Sequence, residues 1–133
     1  NRSALIRVPL YHPGKEKATR CEFRACDPAC NPYLAFAAML HAGLDGIEKG
    51  YKAPKPMDTN LYHLTDQERK DRGIDTLPDS LGHAISIAEN SALVKKVLGE
   101  HIFPRFIQIK KKEWDEYRIQ IPQFELDKYL SIL

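Results

Sequence analysis

Apolar and charged residues alternate one by one near the start of the chain. In "TRCEFRACDP", residues 19–28, Arg20, Glu22 and Arg24 take every second position, while Cys21, Phe23 and Ala25 fill the gaps. Side chains of a β-strand point alternately to opposite faces, so this pattern predicts a strand with one dry face and one charged face. Strands are predicted over Ser3 to Val8 and over Thr19 to Ala25, joined by "YHPGKEK", whose Pro13-Gly14 pair signals a turn. The two runs read as an antiparallel hairpin.

The period then changes from two to nearly four. Asn31 suits an N-cap and Pro32 a first helical position, and Leu34, Ala37, Ala38 and His41 follow at helical spacing in a long helix that runs to Gly50. This helix is apolar nearly all round at its start, which implies burial against several neighbours. "YKAPKPMDTNLYHL", residues 51–64, carries Pro54 and Pro56 and reads as a surface loop. "TDQE", Thr65 to Glu68, is a capping box for a short polar helix that stops at Gly73. Two amphipathic helices follow in "LPDSLGHAISIAEN" and "SALVKKVLG", the second capped by Ser91 and closed by Gly99. A long helix is predicted from the Phe103-Pro104 region to about Arg118, with Trp114 packing inward, and "PQFELDKYLSIL" forms a terminal one. The fold class expected is α+β: a predominantly helical chain with one antiparallel two-strand element and at least four helices.

With 133 residues and 43% hydrophobic content, the chain is expected to form one compact unit over 1–133. Twenty basic against eighteen acidic residues leave a formal charge of +2, too near balance for a dedicated nucleic-acid binder. No apolar run is long enough to cross a bilayer and no secretory leader is read, so no membrane partner and a cytoplasmic location are expected. Asn1 opens the chain without methionine and leads at once into "NRSALIRVP", as expected of a piece of a longer protein. Cys21, Cys26 and Cys30 crowd into ten residues, and reduced thiols are expected of them. Their C-x4-C-x3-C spacing resembles neither paired zinc knuckles nor the usual cluster-binding runs, and no histidine stands close by.

The charged strand face supports two readings from spacing alone. It is a solvated face with Arg-Glu-Arg pairing, or it is a polyanion site. Arginine forks suit phosphate and carboxylate, and a carboxylate between them suits a divalent cation that also touches phosphate. Arg2 and Arg7 on the neighbouring strand extend the positive surface, and Lys17 adds to it.

Four segments together carry a resemblance: "NRSALIRVP", "KATRCEFRACDPACNPYLAFAAMLHAGLDGIEKG", "MDTNLYHL" and "FELDKYLSIL". In this order they resemble the carboxy-terminal part of the catalytic domain of type I glutamine synthetases. The resemblance implies ATP-dependent formation of glutamine from glutamate and ammonia through γ-glutamyl phosphate, with Mg²⁺ or Mn²⁺. It implies that Glu22 is a metal ligand and that Arg7, Lys17 and Arg20 serve the nucleotide. Arg2 and Arg24 resemble the catalytic arginines at glutamate and at the transferring phosphoryl group. Tyr62 matches a tyrosine that some bacterial enzymes adenylylate, although His63 replaces the common acidic neighbour. The resemblance further implies a homododecamer of the full-length protein, with the remaining metal and ammonia ligands upstream and the fragment inactive alone. A γ-glutamyl–amine ligase of the same family and a non-catalytic scaffold or regulatory relative are the alternatives.

Overall fold

The computed structural model describes residues 3–57 and 59–132. It is mostly helical, with one two-stranded antiparallel sheet, as the residue pattern predicts. The internal contacts divide the chain into two compact units, Asn1–Leu77 and Pro78–Leu133.

In the first unit, β1 (Ile6–Arg7) pairs with β2 (Glu22–Phe23), with Arg7 opposite Glu22 and Ile6 opposite Phe23. The Arg24 N–H donates to the Leu5 carbonyl at 2.7 Å, so pairing reaches slightly beyond the two strands. Both strands are shorter than the expected Ser3–Val8 and Thr19–Ala25. Pro9, which has no N–H to give a ladder, limits β1, and the turns around Pro13-Gly14 and Asp27 limit β2. The register nonetheless keeps the predicted alternation, with charge on one face and Ile6 and Phe23 on the other. That second face is not dry: Ile6 is 60% and Phe23 49% exposed.

Asp27 prepares the next element. Its side chain accepts from the Ala29 N–H and its carbonyl from the Cys30 N–H, which turns the chain into α1 (Pro32–Glu48). Asn31 caps this helix through the N–H groups of Tyr33 and Leu34, and Pro32 occupies the first position, where its missing N–H costs nothing. Tyr33, Phe36, Leu40, Leu44 and Ile47 follow one another at intervals of three or four residues and form one stripe. The expectation of burial fails here, since all five are exposed, Tyr33 at 83% and Ile47 at 78%. Helix α2 (Asp66–Asp71) carries the predicted capping box: Thr65 Oγ1 accepts from the Glu68 N–H, and Glu68 reaches back to the Thr65 N–H at 2.7 Å. Gly73, at φ +63, ends it with its own N–H on the Lys70 carbonyl and that of Ile74 on the Arg69 carbonyl.

The second unit holds the buried core found among the described residues: Ile85, Leu98 and Ile107. Ile85 lies on α3 (Leu81–Asn90), and the other two on α4 (Ala92–Arg118). Ser80 and Ser91 cap the two helices through the His83 and Val94 N–H groups. Gly99, at φ 66 and ψ 175, interrupts α4 at the predicted stop. The helix resumes directly after it, earlier than the Phe103-Pro104 start expected, and Pro104 sits close enough to that restart to be tolerated. Trp114 is half-buried against α3, where Gly82 leaves room for the indole. Helix α5 (Gln123–Tyr129) closes the chain with a short 3₁₀ turn, Leu130–Ile132.

Candidate functional site

The cross-strand pair Arg7–Glu22 sets the centre of the site, because the register places these two residues side by side on one face. Arg20 and Arg24, two positions to either side of Glu22, share that face by alternation. Three guanidinium groups therefore meet one carboxylate. Arg7 Nη1 donates to both Glu22 oxygens, at 3.2 and 3.1 Å. Arg20 donates to Oε1 through Nε at 3.1 Å and Nη2 at 2.7 Å, and Arg24 Nη2 donates to Oε2 at 3.0 Å. Arg20 Nη1 also reaches the Ala18 carbonyl at 3.2 Å, which holds its plane.

These bonds push the Glu22 carboxyl down to about 2 from its ordinary 4.5, the Arg7 bond contributing most and partial desolvation opposing it. The group is thus anionic at any physiological pH. Its side chain keeps 23% of its exposure, and those of Arg7 and Arg24 keep 37% and 32%, so solvent and ligands reach the cluster. Three cations against one anion leave net positive charge on a fixed surface, which suits a polyanion with several oxygens.

A hard carboxylate oxygen is a suitable donor for Mg²⁺ or Mn²⁺. Among the described residues, however, no group of three or more His, Cys, Asp or Glu side chains comes together to hold a metal ion. Glu22 offers such an ion its two carboxylate oxygens. Cys21, Cys26 and Cys30 are exposed free thiols and belong to no such group. Lys17 stands exposed in the 3₁₀ turn Glu16–Ala18, outside the side chains bonded to Glu22. Arg2 lies outside the described residues. Tyr62 is 73% exposed in the 3₁₀ turn Leu61–His63, whose first N–H donates to Ser3 Oγ at 3.1 Å while the Asn60 side chain accepts from the Tyr62 N–H. A cavity beside the cluster involves Tyr11, His12 and Lys15, which sequence reasoning left as turn residues. Their only signal was a run of basic and aromatic side chains around Pro13-Gly14.

The family model for the glutamine synthetase catalytic domain matches residues 1–129. A glutamine synthetase of Mycolicibacterium smegmatis is 49% identical over 132 residues, covering 99% of this chain and 30% of the relative. One of Methanocaldococcus jannaschii is 48% identical over 130 residues, covering 98% of this chain and 28% of the relative. A solved structure described as "Apo GmaS without ligand" superposes with a TM-score of 0.73 at 30% identity, over 98% of this chain and 28% of that one. The chain thus spans under a third of the length of these proteins.

Proposed function

Because the chain belongs to the glutamine synthetase catalytic-domain family, we propose that it supplies the phosphate-facing part of an ATP-dependent glutamate–ammonia ligase. The observation that carries this reading is the cluster of Arg7, Arg20 and Arg24 on Glu22, a cationic surface with an oxygen ligand at its centre. In the reaction, a γ-carboxylate oxygen of glutamate attacks the γ-phosphorus of ATP, and the bond to the ADP oxygen breaks. Ammonia then displaces phosphate from γ-glutamyl phosphate, losing a proton as the amide forms.

Each residue has a role in this scheme. Arg7, Arg20 and Lys17 hold the nucleotide phosphates. Arg24 and Arg2 hold the glutamate carboxylate and neutralise charge on the transferring phosphoryl group, where fixed donors contribute most. Arg7 uses Nη1 alone toward Glu22, which leaves its Nε and Nη2 outside that bond. Glu22 would hold a divalent ion, Mg²⁺ or Mn²⁺, which when bound would supply charge neutralisation to the phosphate oxygens. The other metal ligands and the ammonia site belong to parts of the protein beyond this chain, so the chain alone is expected to be inactive. A homododecamer and a cytoplasmic location complete the reading. Tyr62 is a possible modification site, and its exposure leaves it open to a modifying enzyme.

The test is glutamine formation by the full-length protein from glutamate, ammonia, ATP and Mg²⁺, with larger amines offered in parallel. Turnover with ammonia and none by the 133-residue chain is expected. Preference for a larger amine would move the assignment to a γ-glutamyl–amine ligase, and no ATP-dependent product with any amine would remove the ligase reading.

A further inference from the structure

Between the start of α3 and the end of α4 lies a cavity of about 460 Å³, lined by Asp79, Ser80, Leu81, Glu113, Trp114 and Tyr117. Its volume falls within the roughly 300–1,000 Å³ of ligand pockets, and none of these residues belongs to the Glu22 cluster. Trp114 and Tyr117 stand three residues apart on α4 and so share a face, with ring centroids 5.9 Å apart and planes tilted by 30°. Gly82 lets the indole press against α3, since a Cβ there would meet the ring at 2.7 Å. The indole is thus held in place, while Tyr117 stays 70% exposed.

The charged groups of the lining are both carboxylates. Asp79 Oδ1 meets His83 Nδ1 at 3.1 Å, and Glu113 Oε2 accepts from Lys110 Nζ at 2.6 Å. Asp79 Oδ2 and Glu113 Oε1 lie outside these contacts. Aromatic rings beside anionic oxygens attract a cation, and a flat one best. A guanidinium stacks on a ring and donates its fork of N–H groups to a carboxylate, whereas an ammonium is a more strongly hydrated point charge. Leu81 suits the methylene stem that carries such a group. A second cavity of about 350 Å³ shares Ser80 and Trp114 with the first and adds Ser86, Glu89 and Lys111. These polar groups suit the backbone on either side of an arginine in a peptide, and they extend the site beyond what a free amino acid fills.

We propose that the Trp114–Tyr117 cavity takes an arginine side chain from a segment of a partner protein, with the guanidinium on the two rings and bonded to Asp79 and Glu113. Calorimetry of the full-length protein tests this with the peptide acetyl-Gly-Arg-Gly-amide, the same peptide carrying citrulline in place of arginine, and free L-arginine. Citrulline keeps the shape of the side chain and loses its charge. The arginine peptide should bind about tenfold or more tighter than the citrulline peptide, and tighter than free arginine. Tyr117→Leu, a change at an exposed position, should weaken the arginine peptide about fivefold. Glu113→Gln should weaken it about tenfold, and both variants should keep the melting temperature of the unsubstituted protein. No binding of the arginine peptide, equal affinity for its citrulline form, or affinity unchanged in both variants would overturn the cavity as a guanidinium site. Free arginine binding as tightly as the peptide would overturn the protein segment as its source.

Discussion

Replacing Arg7 with alanine should raise the pKa of Glu22 more than replacing Arg24 or Arg20 does. Arg7 touches both carboxylate oxygens from one nitrogen and is the largest single cause of the depressed value, ahead of Arg24 and then Arg20. The size of the effect follows from the two limits, about 2 in the folded cluster against the ordinary 4.5. At pH 3.5 an unperturbed glutamate is roughly nine-tenths protonated, whereas a group titrating near 2 is only about 3% protonated. Carbon-detected NMR of the Glu22 carboxyl between pH 2 and 7 reads this directly on the chain itself. Arg7→Ala should move the midpoint part of the way toward the ordinary value, and added salt should narrow the gap among these solvent-reached groups. The linkage sign is fixed by the direction of the shift. A depressed carboxyl contributes stability that is present above its unfolded value near 4.5 and is lost as pH falls through the folded value near 2. Glu22→Gln should therefore flatten the acid limb of the melting curve over that window. A Glu22 midpoint at 4.5, or one that Arg7→Ala leaves in place, would refute the three-arginine cluster.

Three further outcomes follow from the same structure. In the full-length protein, Glu22→Gln and Arg24→Lys should each lower metal-dependent glutamine formation by about 100-fold or more, while Phe23→Ala leaves the Mg²⁺ response unchanged; normal activity in Glu22→Gln would make the charged face ordinary surface. Gly82→Ala should destabilise the second unit by about 1–3 kcal/mol in urea unfolding despite the better helix propensity of alanine, and Trp114→Ala in the same chain should relieve it. The reason is that a Cβ at Gly82 meets the Trp114 ring at 2.7 Å. Thr65→Ala should cost α2 about 1 kcal/mol by removing its capping box, seen as faster hydrogen exchange at Glu68.

Capping chemistry was the most legible part of the chain. Asn31-Pro32, the Thr65–Glu68 box, Ser91 and the stop at Gly99 all act within four residues of themselves, and each lies where its residues predict. The charged strand face was legible for a related reason. Alternation has a period of two and pairing needs only one correct register, so once Arg7 falls opposite Glu22 the cluster follows. Strand length was harder, because pairing ends where Pro9 and the flanking turns intervene rather than where alternation ceases. The contact of Glu16 with the Tyr11 hydroxyl and the Gly14 N–H was hidden, since a carboxylate that grips a hydroxyl and a backbone N–H leaves no periodic trace.

Burial was misread in the first unit, and the residues concerned explain why. Tyr33, Phe36, Leu40, Leu44 and Ile47 on α1, with Ile6 and Phe23 on the sheet, have the spacing of core residues and yet stay exposed. Periodicity reports which side of an element is apolar, and it carries no information on whether the covering surface lies within the same stretch of chain. An exposed stripe of this extent marks a surface that another part of a protein covers. The second unit shows the contrast, because α3 and α4 meet each other within one short stretch and bury Ile85, Leu98 and Ile107 between them. The relatives matched here are far longer than this chain, which spans 28% and 30% of two of them. On the proposed reading, the two-stranded sheet carries the catalytic cluster on its charged face, while its apolar face and the α1 stripe meet the rest of the domain. Polar chemistry that needs only neighbouring residues is already assembled, whereas the apolar surfaces that fix it in place still lack their cover.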